Sequence, residues 1–255
     1  MKRWVVVRGA KHIWYQFWQE SQRLPTVVWQ RWGSGLAIAL GLCALLSFGL
    51  TWSVRHFVEQ GSLQAWDTAQ LTQWAEAIPL NFARAITWES PGNLLGMVPV
   101  VTVFITCMIV RSQPLLAATM AMAYGLQFAL VWIGWGYWNR SRPDLIADGV
   151  AASGLHSFPS GHTVVVITVY GLLAYLWGRA SASWLERLLV MVLATTWIGL
   201  IVGSRLVLGA HWPTDVIVGI AIGLCWLSSV IVTLKRAESA NAKAPTYPRK
   251  IQSER

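Results

Sequence analysis

Three short stretches carry side chains that could hold an anion, act as a nucleophile or move a proton. Phe158-Pro159-Ser160-Gly161-His162 reads as a turn that enters a long apolar run. Pro159 suits the residue just before a helix, Ser160 suits the N-cap, and Gly161 leaves the backbone open to close approach. The amide hydrogens of Gly161, His162 and Thr163 then lack intrahelical partners, and such a helix start binds anions, phosphate among them. His162 falls in that first turn and can gain or lose a proton near neutral pH. The same five residues also fit a plain loop-to-helix junction with an incidental histidine.

In the second stretch Ser204-Arg205 closes one apolar run and His211-Trp212-Pro213-Thr214-Asp215 opens the next. Pro213 fits the first turn of a helix, so His211 and Asp215, four apart, can face each other. A carboxylate that accepts one ring N–H fixes the tautomer and leaves the other nitrogen free as a nucleophile. A capped helix start, with Asp215 favoured by the dipole, is the alternative. Ionisable groups at membrane helices are costly and usually functional, which favours the chemical reading. The third stretch is Arg142-Pro143, where an arginine suits bidentate phosphate binding and the proline stiffens the turn. Taken alone, that dipeptide is more simply a solvated loop arginine.

The elements that must hold these groups are membrane helices. The chain has 255 residues, the size of one domain; 55% are hydrophobic and only 12% charged, against roughly 25% charged in ordinary globular chains. Seventeen tryptophans suit a membrane–water interface. The net charge of +9 is not gathered in one stripe, which argues against a nucleic-acid groove. Cys43, Cys107 and Cys225 each lie in an apolar run, far apart in sequence. They read as small core residues rather than a disulfide framework or zinc site, and no compact carboxylate or His/Cys cluster offers a metal site.

The hydropathy pattern predicts an all-α fold, a six-transmembrane-helix bundle with spans at about 33–54, 93–110, 115–135, 159–177, 188–204 and 213–234. Residues 1–32 form a basic arm with interleaved aromatics, either amphipathic on a membrane surface or disordered, without the features of a cleaved signal peptide. Residues 55–92 predict short amphipathic helices at the interface between spans 1 and 2, and 235–255 a disordered basic tail. Six spans put both termini on one side, and that side carries fifteen Lys and Arg against five. The positive-inside rule then makes the termini cytoplasmic. The loops 55–92, 136–159 and 205–212 lie opposite, and the last two hold nearly all the candidate groups.

In their order, these motifs resemble those of the type 2 phosphatidic acid phosphatase family, the membrane relatives of vanadium haloperoxidases. That family shows a lysine, six residues and Arg-Pro; then Pro-Ser-Gly-His; then Ser-Arg, five residues, His, three residues and Asp. The second motif is complete as Pro159-Ser160-Gly161-His162 and the third as Ser204, Arg205, His211 and Asp215. The resemblance covers about residues 60–234. It implies that His211 attacks phosphorus to form a phosphohistidine, that Asp215 orients it, and that His162 protonates the leaving oxygen and later activates water. Arg142, Arg205, Ser160 and the Gly161 amide would hold the phosphoryl oxygens, with no cofactor and no metal. Positioned donors around developing negative charge are what phosphoryl transfer needs.

One position departs from the pattern. The lysine of the first motif should fall at Trp135, and the lysines of the chain are Lys2, Lys11, Lys235, Lys243 and Lys250, all on the cytoplasmic side. Arg140 is the nearest cation and is expected to substitute in part. The resemblance implies a plasma (inner) membrane lipid phosphatase acting on the periplasmic or extracellular face. Its substrate would be a lipid phosphate presented from the bilayer: phosphatidic acid, phosphatidylglycerophosphate, diacylglycerol pyrophosphate or undecaprenyl pyrophosphate. A lipid phosphotransferase using the same phosphohistidine, or an impaired lipid-binding membrane protein, are the alternatives.

Overall fold

The computed structural model describes residues 2–146, 148–149 and 156–243. Among them the regular elements are all helical: α1 (Lys2–Arg23), α2 (Thr26–Glu59), α3 (Ser62–Ala77), α4 (Phe82–Glu89), a 3-10 turn (Ser90–Gly92), α5 (Leu94–Val110), α6 (Pro114–Tyr137), α7 (Gly161–Ala180), α8 (Trp184–Val207) and α9 (Pro213–Lys243). Six stretches are long and apolar enough to cross a membrane: α2, the run Phe82–Val110, α6, α7, α8 and α9. The predicted all-α six-span bundle is therefore the observed one.

Local chemistry sets many of the helix starts. Asn81, Asn93, Ser160 and Ser183 each place a side-chain oxygen on an amide of the first turn, and Pro114 occupies the first turn of α6. Several boundaries differ from expectation, two of them for one reason. The first membrane helix begins at Thr26 rather than at residue 33, and the last runs to Lys243 rather than stopping at 234. The cause is shared. Val28 of α2 packs with Leu234, Ala237 and Ala240 of α9, so both helices extend to bury that contact. Arg179 adds two hydrogen bonds to Glu238, at 2.8 and 2.9 Å. Part of the predicted disordered tail is thus helix, and its remainder, 244–255, lies outside the described residues. The predicted basic arm is helical from Lys2 to Arg23, and α1 rests against α5 and α6.

Helix α7 is the axis of the bundle, packing on α6, α8 and α9, while α2 pairs with α9. Half of the apolar window of α7 is buried, against 11% of that of α8. α8 turns Leu188, Leu189, Met191, Val192 and Leu193 outward, where acyl chains would cover them. Cys43 is buried and its sulfur lies 3.4 Å from that of half-buried Cys225. Cys107 is exposed on the outer face, so the core reading does not extend to it. Small residues let α9 reach α7: a Cβ added at Gly219 would meet Thr163 Cβ at 2.9 Å and the Ser160 carbonyl oxygen at 3.0 Å.

Gly219→Val should therefore pry the start of α7 from α9, at a cost of roughly 1–3 kcal/mol. Gly125→Ala faces open space and should leave stability unchanged. Thermal unfolding of both variants in detergent measures the difference.

Candidate active site

Alternation of the spans brings one end of each of α6, α7, α8 and α9 together, and backbone bonds lock the loops between them. The Ser160 amide donates to the Asp215 carbonyl at 3.1 Å, the Ser157 amide to Arg140 at 3.0 Å, and the Ala210 amide to Arg205 at 3.0 Å. These bonds place His211 beside the Pro159 turn. Its side chain is 2% exposed. Nδ1 lies 2.8 Å from the Ser157 carbonyl oxygen and 3.4 Å from Asp215 Oδ2. A carbonyl can only accept, so Nδ1 carries the hydrogen and Nε2 keeps its lone pair. Burial pushes His211 down to about 4; Arg205 and Arg142 add to that, while Asp215 opposes it. The ring is neutral at pH 7.

Asp215 is fully buried and satisfied on every side. Oδ2 accepts from the Trp212 amide at 2.9 Å and from the Ser157 hydroxyl, and Oδ1 accepts from Arg140 Nη1 at 2.7 Å. Arg140, expected as a partial stand-in for the missing phosphate-binding lysine, is committed here instead. Nη1 also donates to Thr214 Oγ1 at 2.7 Å; Nη2 donates to Asp67 Oδ2 at 2.6 Å and Gln64 Oε1 at 3.0 Å. Its guanidinium carbon lies 5.0 Å from the Trp138 ring centroid and 5.3 Å from that of Trp212. Two carboxylates bid for this cation in a dry place, which is why it does not turn to the cavity. Asp67 in turn caps α9 from a different helix, accepting from the Thr214 amide at 2.9 Å and the Thr214 hydroxyl at 2.6 Å.

A cavity of about 260 Å³ opens on the other side of His211. His211, His162, Gly161 and Arg142 line its polar end; Met97, Tyr124, Phe128, Val131 and Val165 line the apolar remainder. Arg142 donates through Nη1 to the Ala210 carbonyl at 2.6 Å, and its Nε is buried without a partner among the described residues. Arg205 donates Nη1 to Glu89 at 2.7 Å and likewise keeps a buried, unpartnered Nε. Ser160 accepts from the Thr163 hydroxyl at 3.0 Å and caps the Thr163 amide. It is buried behind the cavity wall, so among the expected phosphate donors it serves α7 first. Among the described residues no acceptor faces the Gly161 or His162 amide. Trp135, at the lysine position, lays its ring on Gly161, stacks on His156 at 5.9 Å and donates Nε1 to the Pro159 carbonyl at 3.2 Å.

Asp67 and Glu89 fall within residues 55–92, where the sequence pattern predicts a wet amphipathic surface on which lone acids look solvated. The available signal was their side of the membrane, shared with the histidines. Ser157, whose carbonyl orients His211, had no signal, since any residue type supplies a carbonyl. Among the described residues no group of three or more His, Cys, Asp or Glu side chains gathers to hold a metal. Removing Arg140 would leave Asp67 and Asp215 buried without their counter-charge. Arg140→Gln is expected to cost about 3–5 kcal/mol of folding free energy, read as a large fall in the thermal midpoint.

Comparison with known proteins adds a family match, two curated relatives and one solved structure. Residues 114–238 match the family model described as the PAP2 superfamily. A lipid A 1-phosphatase of Rhizobium johnstonii is 33% identical over 98 residues, 35% of this chain and 36% of the relative. The phosphatidylglycerophosphatase B of Escherichia coli is 37% identical over 79 residues, 30% of this chain and 28% of the relative. The chain thus spans about a third of the length of these curated relatives. The crystal structure of a transmembrane PAP2-type phosphatidylglycerolphosphate phosphatase from Bacillus subtilis superposes with a TM-score of 0.65 at 21% identity, covering 76% of this chain and 96% of the other. At that identity it supports the fold.

Proposed function

From the match of residues 114–238 to the PAP2 superfamily, we propose that the chain is a multi-pass membrane lipid phosphatase working through a phosphohistidine at His211. The observation that carries this reading is a single cavity lined by two imidazoles, one of them locked with Nε2 free, beside a helix N-terminus and Arg142. His211 Nε2 attacks phosphorus, and Asp215 and the Ser157 carbonyl hold the ring as its Nδ1–H gains positive character. His162 gives a proton to the departing lipid oxygen and takes one from the water that later cleaves the P–N bond. The buried Nε groups of Arg142 and Arg205 and the amides of Gly161 and His162 supply donors for the phosphoryl oxygens. These donors carry the positive field that phosphoryl transfer requires, so the reading calls on no metal.

The apolar remainder of the cavity, between α5, α6 and α7, fits the first part of a lipid chain. The substrate class is therefore a lipid phosphate monoester or pyrophosphate whose chains stay in the bilayer. The relatives act, by name, on a lipid A phosphate and on phosphatidylglycerophosphate, which belong to that class. The excess of Lys and Arg at the opposite end of the bundle supports cytoplasmic termini and an active site on the outer face.

Purified protein assayed for phosphate release from a panel of lipid phosphates tests the reading. His211→Ala should lower release by roughly three orders of magnitude or more, and equal release by variant and wild type would refute it. Orthovanadate, which takes up the trigonal-bipyramidal geometry of the transferring phosphoryl group, should inhibit; full activity at saturating vanadate would rule out a phosphohistidine.

The neutral form of His211 is the nucleophile, and its proton affinity is depressed. Activity should therefore persist as pH falls below the ordinary imidazole range, with the acid limb of kcat/KM near the value of about 4. An acid limb near 6.5 would show a solvated imidazole instead.

A further inference from the structure

Each imidazole at the cavity has a carboxylate of its own. Asp215 stands behind His211. Glu89, the last residue of α4, stands beside His162, with Oε1 2.9 Å from His162 Nε2 and 2.7 Å from Arg205 Nη1. The contact with His162 is one of charge rather than an aligned hydrogen bond, because His162 Nε2 has no partner in hydrogen-bond geometry among the described residues. The direction of its N–H is therefore not consumed. Glu89 is also held in place. The turn that follows it is fixed by the Tyr170 hydroxyl, which donates to the Pro91 carbonyl at 3.1 Å. Gly92 is pressed so closely on Val166 and Ile201 that an added Cβ would sit 3.0 and 2.6 Å from them. Glu89 lies in the run Phe82–Val110, outside the stretch 114–238 that matches the family model.

The charged groups facing His162 are Glu89 from α4, Arg205 from α8 and Arg142 from the loop before α7. Without Glu89, an imidazolium there would face two guanidiniums. We propose that Glu89 is the positioning residue of the acid–base histidine: it keeps a proton-bearing His162 beside two arginines and aims Arg205 at the phosphoryl group. The proposal rests on the phosphatase reading above. In the first half-reaction the bond from His211 Nε2 to phosphorus forms, the bond from phosphorus to the lipid oxygen breaks, and that oxygen takes the proton of His162. In the second, water bonds to phosphorus, its proton goes to His162 and the P–N bond breaks. Glu89 stays a carboxylate throughout and transfers no proton.

The test turns on the leaving group, which a purely structural role would not sense. Glu89→Gln keeps the size of the side chain and removes its charge. Its kcat on phosphatidic acid, whose alkoxide needs a proton to depart, should fall by about tenfold or more, and its kcat on p-nitrophenyl phosphate, whose nitrophenolate does not, by less than about threefold. Equal loss on both substrates, or no loss on phosphatidic acid, overturns the proposal. In a His162→Ala background, adding Glu89→Gln should change the residual rate on phosphatidic acid by less than about twofold, and an additive loss overturns the proposal as well. Should Glu89→Gln fail to fold by thermal melting, Glu89→Asp, which draws the charge back from His162, is read on the same pair of substrates for the same selective loss. His211→Ala separates the two levels. If it still releases phosphate, the phosphohistidine reading fails whatever Glu89 does; if it is inactive while Glu89→Gln is unselective, only the role of Glu89 fails.

Discussion

A carboxylate with no access to water must find its hydrogen bonds inside the protein, and the site is arranged around that demand at Asp215. Its two oxygens take up a backbone amide, a hydroxyl, a guanidinium and the approach of His211. The partners arrive from separate parts of the chain: Ser157 from just before α7, Arg140 from just after α6, and His211 and Trp212 from the link before α9. Satisfying one buried charge therefore closes the loops over the cavity and sets the tautomer of the histidine. Arg140 would be costly there alone, and Asp67 completes its neutralisation while capping α9.

Membrane physics explains why this polar machinery sits where it does. Within the apolar layer the helices satisfy their own backbone groups, and packing there relies on close approach at small residues such as Gly219 and Gly223. At the helix ends, amides and carbonyls are left over and polar side chains find partners. The start of α7 uses both conditions. Ser160 spends its hydroxyl on the cap, Gly219 lets α9 come close, and the Gly161 and His162 amides keep no acceptor among the described residues. The peripheral helix α8 contributes Arg205 from its last turn while most of its surface faces outward.

Trp135 changes the electrostatics of the site rather than its plan. A lysine would bring a mobile cation to the polar end of the cavity; the indole brings a flat wall on Gly161 and a hydrogen bond to Pro159. With Arg140 committed to two carboxylates, the cations left near the cavity are Arg142 and Arg205. Arg205 is itself shared with Glu89. The result is a more apolar mouth around two guanidiniums and a helix start, in keeping with the lipid substrate proposed above.

The sequence by itself determined the all-helical six-span plan and the residues gathered at one end. Hydropathy is summed over contiguous residues, and helix-start chemistry at Ser160 or the four-residue spacing of His211 and Asp215 is local. It also pointed to Arg142 and Arg205 as cations of that end. Only the tertiary structure decided how these groups are shared. Whether Arg140 meets a phosphate or a carboxylate depends on Asp67 and Asp215, 73 and 75 residues away along the chain. That Glu89 meets His162, or that the Ser157 carbonyl meets His211 Nδ1, depends on how α4 and the Pro159 turn dock. The helix limits at Thr26 and Lys243 follow from packing of α2 on α9, which no window along one helix contains. Charges and donors choose partners by distance in three dimensions, and for those choices the chain offers candidates while the fold selects among them.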